Sequence, residues 1–175
     1  ESIYKNYEIH FKKDNELNIP IASEFGIKEV DFIDGTFIVN KKKLESNNLL
    51  DENIFIYFET MDLAKRLKKF GKKMYVCDKI KFEHLGSQSH DAKYNHLAKL
   101  SRNWHYCWSK FYYYKKNFSY FYALKKILPF IIKTFFICIK LKLLNKKIEY
   151  SLSRAELNGS IASVFLKKSN YRPYN

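Results

Sequence analysis

Leu50–Ser89 reads LDENIFIYFETMDLAKRLKKFGKKMYVCDKIKFEHLGSQS, and the order of its parts governs how the rest of the chain is read. An acidic turn, Asp51-Glu52, precedes an aromatic run, Ile54-Phe-Ile-Tyr-Phe58, with the composition of a strand. Glu59 and Asp62 then open a segment whose Leu63, Leu67 and Phe70 recur at helical spacing, and Gly71 follows as a helix stop. The spacing predicts a helix over 59–70. A short apolar strand, Met74–Cys77, leads to Glu83-His84-Leu-Gly86-Ser-Gln-Ser89. Carboxylates at a helix start and a histidine after a strand are residue types that move protons and hold cations. Acidic residues in a first helical turn also offset the helix dipole without any chemistry. A lone histidine can equally be a polar residue closing a strand.

The same stretch resembles the later half of the catalytic domain of family 2 glycosyltransferases, in particular the bacterial rhamnosyltransferase-like branch. There an aromatic run leads into an acidic pair and a helix, then a Gly-containing turn, a strand and a His-x-Gly-x-Ser segment. The matching residues are Tyr57, Glu59, Asp62, Leu63, Arg66, Leu67, Gly71, His84, Gly86 and Ser89, the last one position late. The likeness extends upstream through Val30-Asp-Phe-Ile-Asp34-Gly35-Thr36. It implies an α/β chain: the acceptor-side half of a GT-A (nucleotide-diphospho-sugar transferase) fold over residues 1–91. A basic, aromatic α-helical tail over 92–175 follows it.

What the resemblance implies chemically is inverting transfer of a sugar from a nucleotide sugar to a hydroxyl of a glycan or lipid-linked acceptor, in cell-surface polysaccharide synthesis. Such a transfer needs a carboxylate to take the acceptor proton. The family places it at the second acid of the pair, where this chain has Thr60, whose hydroxyl is no base near neutral pH. Glu59 or Asp62 is left for the role, or the site is impaired. Asp34, Gly35, Thr36, Tyr57 and Gly86 correspond to substrate-binding positions, and His84 to a residue that steadies a divalent cation (Mg or Mn) or the diphosphate. The family's Asp-x-Asp, which carries the metal and nucleotide, occurs nowhere in the sequence. The donor-binding half is therefore expected to lie outside this chain, and the chain alone to be inactive.

Charge divides the 175 residues in two. Residues 1–91 carry 15 Lys/Arg against 16 Asp/Glu, and residues 92–175 carry 17 against 2. The basic half faces an anionic surroundings on this reading. Cys77, Cys107 and Cys138 are far apart and form no CxxC pair, which argues against a zinc site or a disulfide framework. The sequence starts at Glu1 and shows no signal peptide, so a piece of a longer cytosolic protein is expected. Before Val30 the only strand candidate is Tyr7–Phe11; residues 30–44 read as a strand, a Gly35 turn and a second strand or helix start.

After Ala92 the pattern turns helical, with Leu97, Leu100, Trp104, Trp108 and Phe111 on one stripe. From Trp104 to Tyr122, 11 of 19 residues are aromatic, a density that suits packing, a lipid headgroup layer or stacked nucleic-acid bases. Ile127–Ile139 is apolar but is cut by Lys133-Thr134 and contains Pro129, too short a run to span a bilayer. Lysines 125, 126, 133, 140 and 142 fit a helix lying at an anionic membrane surface. Ser153-Arg-Ala-Glu156 reads as a capping box opening a last helix to Lys168, with order ending at Tyr171-Arg-Pro173. The expected location is the inner face of the cell membrane, held peripherally. The competing reading is a non-catalytic basic module for membrane surfaces or nucleic acid, nucleic acid being the less expected partner.

Overall fold

A computed structural model describes residues 26–32, 37–40, 49–77, 79–81 and 91–173. Two strands, β1 (Ile27–Val30) and β2 (Met74–Cys77), pair antiparallel with Ile27 opposite Cys77 and Val30 opposite Met74. Between them in sequence lies α1 (Glu59–Lys69). A short 3-10 turn, Ala92–Tyr94, starts the second region, followed by α2 (Asn95–Asn117), α3 (Tyr120–Leu143) and α4 (Lys147–Val164). These last three helices pack on one another as a bundle.

The expected helix is α1, one residue shorter than 59–70, and the expected strand is β2. The aromatic run 54–58 is not a strand. Tyr57 and Phe58 both take left-handed backbone, φ 65° and 68°, which no ladder accommodates, and the Ile56 carbonyl accepts from the Ser109 hydroxyl at 2.9 Å instead of from a strand. The strand expected from residue 30 onward in fact ends there, and 37–40 join no sheet. Tyr7–Phe11 and the Gly35 turn lie outside the described residues.

The bundle follows from the stripe on α2. Trp104 and Trp108 are buried against Ala155 of α4, while Phe111 is buried with Ala123 and Ile127 of α3. Gly159 of α4 meets the backbone of Trp104 so closely that a Cβ there would sit 2.2 Å from the Trp104 carbonyl oxygen. Small residues on α4 thus set the depth of the α2–α4 crossing. Ser119 caps α3, its side chain accepting from the Tyr122 amide at 3.1 Å. Helices α1, α3 and α4 end alike. Gly71, Asn145 and Leu166 turn left-handed, and in each case the next amide reaches back to the carbonyl five residues earlier.

The tight Asn145 turn allows α4 to begin at Lys147, so Ser153 falls inside the helix and is no cap. Glu156 does not reach back to it; its carboxylate accepts from Asn103 at 2.8 Å. The helix stops at Val164, short of Lys168, and the chain folds back on α2 through Tyr171 and Arg172. Tyr171 stacks on Trp104 at 5.2 Å, and the Trp108 indole donates to the Lys167 carbonyl at 2.8 Å.

Candidate functional site at the start of α1

The loop entering α1 is held by the bundle from several sides. Ile54 and Phe58 are buried, and Phe58 packs between the rings of Tyr106 and Tyr113, 5.5 and 5.6 Å away. Tyr57 meets Tyr106 edge-on at 5.5 Å. Two consecutive bulky residues in left-handed backbone cost roughly 1–2 kcal/mol each. Those ring contacts and the Ser109–Ile56 hydrogen bond offset that cost. The outcome is that α1 starts abruptly, with Glu59, Thr60 and Asp62 in its first turn against α2.

Glu59 and Asp62, interchangeable by sequence, have different surroundings. Asp62 is fully buried and engaged. Its Oδ2 accepts from Arg66 Nε at 2.9 Å and from Lys116 Nζ at 2.8 Å, and its Oδ1 accepts from Asn117 Nδ2 at 3.2 Å. Lys116 also donates to Asp51 at 2.7 Å and so bridges two carboxylates. Asp51 additionally accepts from Tyr112 and, through its other oxygen, from the Asn53 amide and side chain. Burial pushes the Asp51 carboxyl up, but the hydrogen bonds from Lys116, Asn53 and Tyr112 outweigh it and hold the group down at about 2. Burial, then Asp51 itself, drives the Tyr112 phenol the other way, to about 12. Such a cluster fastens α1 and the Asp51 turn to the last turn of α2. Both carboxylate oxygens of Asp62 are engaged in it.

Glu59 has one carboxylate oxygen, Oε2, withdrawn from water with no hydrogen-bond partner among the described residues. A buried acceptor left without a donor costs about 1–3 kcal/mol. An oxygen in that state, at the head of a helix and beside a strained turn, is suited to accept a proton from a bound hydroxyl. Thr60, the next residue, is buried as well.

Of the other positions singled out by sequence, Asp34, Gly35, Thr36, His84 and Gly86 lie outside the described residues. Tyr57, Glu59 and Asp62 share the one junction. Among the described residues no group of three acidic, histidine or cysteine side chains converges to hold a metal. Sequence reasoning missed Lys116 and Asn117, which hold Asp62, and Tyr112, which holds Asp51. They sit in an aromatic-lysine run whose periodicity shows a helix face but gives no sign of which lysine meets an acid.

Two further features adjoin the bundle. A groove of about 340 Å³ runs between the Trp108–Lys115 face of α2 and the returning segment 166–170 and reaches Glu52 and Asn53 of the Asp51 turn, and none of the sequence-derived site residues lines it. The Cys107 thiol is buried, which pushes it up to about 12 and makes it an inert core group. No helix among the described residues is long and apolar enough to cross a membrane. No family model, curated protein or solved structure matches the chain.

Proposed function

We propose that this chain is the acceptor-side part of an inverting glycosyltransferase, working peripherally at the inner face of the cell membrane, with Glu59 as the general base. The observation that carries the proposal is the contrast between the two acids. Asp62 is tied to Arg66, Lys116 and Asn117, whereas Glu59 keeps a buried oxygen without a donor among the described residues. The resemblance of the Tyr57–Gly71 segment supplies the reaction class.

In this reading the acceptor hydroxyl hydrogen-bonds to Glu59 and its oxygen attacks the sugar's anomeric carbon. The bond from that carbon to the nucleoside diphosphate breaks, and the proton passes to the carboxylate. The donor is a nucleotide sugar and the acceptor a glycan or lipid-linked hydroxyl. A divalent cation would stabilise the departing diphosphate. Asp62 positions α1 and takes no part in proton transfer. The aromatic rings that would favour a nucleic-acid module are largely used within the fold: Trp104, Trp108 and Phe111 are buried.

The test is sugar transfer by the complete enzyme containing this chain. Glu59→Gln is expected to lower turnover by about 10² to 10⁴ with donor affinity little changed. Asp62→Asn is expected to act on stability, with turnover per folded molecule largely kept. A Glu59→Gln enzyme with unaltered turnover would end this assignment.

A further inference from the structure

We infer that the outer face of α3 is a docking surface for an anionic lipid bilayer, on which the helix lies flat. This rests on the peripheral placement proposed above and names the surface responsible. It is independent of the chemistry at Glu59.

The bundle uses only one side of α3. Ala123, Ile127, Thr134 and Cys138 are buried on it, at spacings of four, seven and four. On the opposite side Leu128, Ile132, Phe135, Phe136, Ile139 and Leu143 are each between 43% and 81% exposed. A soluble monomer rarely leaves so continuous an apolar strip uncovered. Lys126, Lys133 and Lys140 recur every seven residues, so they form one row along the helix, bordering the strip. From Phe118 to Ile148 there are seven lysines and no acidic residue.

That combination selects the occupant. A membrane-spanning helix has no place for lysines at every second turn. A second copy of this face would bring lysine rows together with no acid to oppose them, since a two-fold contact places the same patch on both sides. A bilayer with anionic headgroups meets both demands. Acyl chains receive the phenylalanine and leucine side chains, and headgroup phosphates receive the lysine ammonium groups at the edge. Lys125, nearer the middle of the strip, can lay its methylene stem along apolar surface and lift its charge to the headgroups.

The experiment is sedimentation of the full chain with vesicles of phosphatidylcholine alone and of phosphatidylcholine mixed with phosphatidylglycerol. The chain should bind the mixed vesicles and release on added salt. Replacing Lys126, Lys133 and Lys140 together by glutamine should weaken that binding on the order of 100-fold, from about 1 kcal/mol per lysine at about 1.4 kcal/mol per decade. Phe135→Ser with Phe136→Ser should weaken it by roughly tenfold or more, since each ring loses apolar burial. Both variants alter exposed side chains, so an unchanged far-ultraviolet circular dichroism spectrum confirms that the bundle is intact. A control removing the same charge off the α3 face, Lys93, Lys167 and Lys168 to glutamine, should stay within about threefold of the parent, as the effect of a charge on the headgroups falls off within a Debye length. If the control loses binding and the α3 variants keep it, this surface is wrong while the peripheral placement stands. If the parent binds no anionic vesicle, both fall. A dimer broken by the phenylalanine changes, in a chain that ignores vesicles, would show the strip covers a second copy and overturns the proposal.

Discussion

The helical bundle and the region before it are held by different forces. In the bundle, Trp104, Trp108, Phe111, Ala123 and Ile127 are buried against one another, and Gly159 lets two backbones touch. The earlier region has a two-stranded sheet, one helix and few buried apolar residues, and beside the ring contacts of Tyr57 and Phe58 it attaches to the bundle through charge. Asp51, Asp62, Arg66 and Lys116 form the joint, with Lys65 donating to the Asn117 carbonyl at 3.3 Å beside it. Contact between hydrocarbon surfaces is indifferent to pH. A joint of carboxylates and ammonium groups is not. The lesson is that the proposed reacting segment can be loosened without unfolding the helices that carry it.

The largest effect should come from attacking the bundle at its tightest point. Gly159→Ala drives a methyl group into the Trp104 backbone, where no side-chain rotation relieves it. We expect a loss of about 3 kcal/mol or more, read as a lower urea midpoint for the whole chain. At Gly71 nothing lies within 4 Å, so Gly71→Ala should cost only about 1 kcal/mol through its φ of +65°. Similar losses at the two glycines would undo the distinction between packing and conformation drawn here.

The joint is the second target. Asp62→Asn leaves Lys116 and Arg66 facing a neutral group, at an expected cost of about 2 kcal/mol because both cations stay partly exposed. Hydrogen exchange should quicken in 49–70 and remain slow in α2 and α4. Uniform quickening would mean that the two regions are one cooperative unit.

Acid should do something similar more gently. The Asp51 carboxyl is depressed to about 2 in the folded protein, below its ordinary value near 4. Its contribution is therefore complete above about pH 4 and lost as the pH falls through about 2, a total of about 1–2 kcal/mol. Exchange in residues 49–57 should rise over that window before the helical signal falls.

The smallest effect concerns His105, fully buried under the returning chain. Its ring contacts the Ser169 hydroxyl at 2.9 Å and the Tyr171 carbonyl at 3.0 Å, so the Nε2–H tautomer donates to Tyr171 and accepts from Ser169. Burial lowers its pKa, with the positive Arg172 adding to this. The released segment then binds the proton better than the docked one, and docking weakens as pH falls below about 6.5. Exchange at 167–172 should rise modestly between neutral pH and about pH 5, and His105→Gln should abolish the dependence.

Periodicity made the helices legible. The stripe from Leu97 to Phe111 and the Gly71 stop give α2 and the end of α1 directly. The capping pattern at Ser153 misled because Asn145, a less conspicuous left-handed residue than glycine, had already turned the chain. The aromatic run 54–58 has strand composition yet is bent by partners about 50 residues later, Tyr106, Ser109 and Tyr113, which no local pattern reveals. The site was legible as a pair of acids at a helix start. Which acid is held and which is not depends on Lys116 and Asn117, and that pairing exists only once α2 is folded.

The corner after α2 has a mechanical consequence. Asn117 is gripped by Asp62 and Lys65, and the Lys65 ammonium lies 3.5 Å above the Phe118 ring. Two residues on, α3 begins. Helix α1 is thus clamped to the corner between α2 and α3. Losing Asp62 would therefore free the helix that carries Glu59 from the corner at which the chain turns from α2 into α3. Asp62 is the bolt that joins the two.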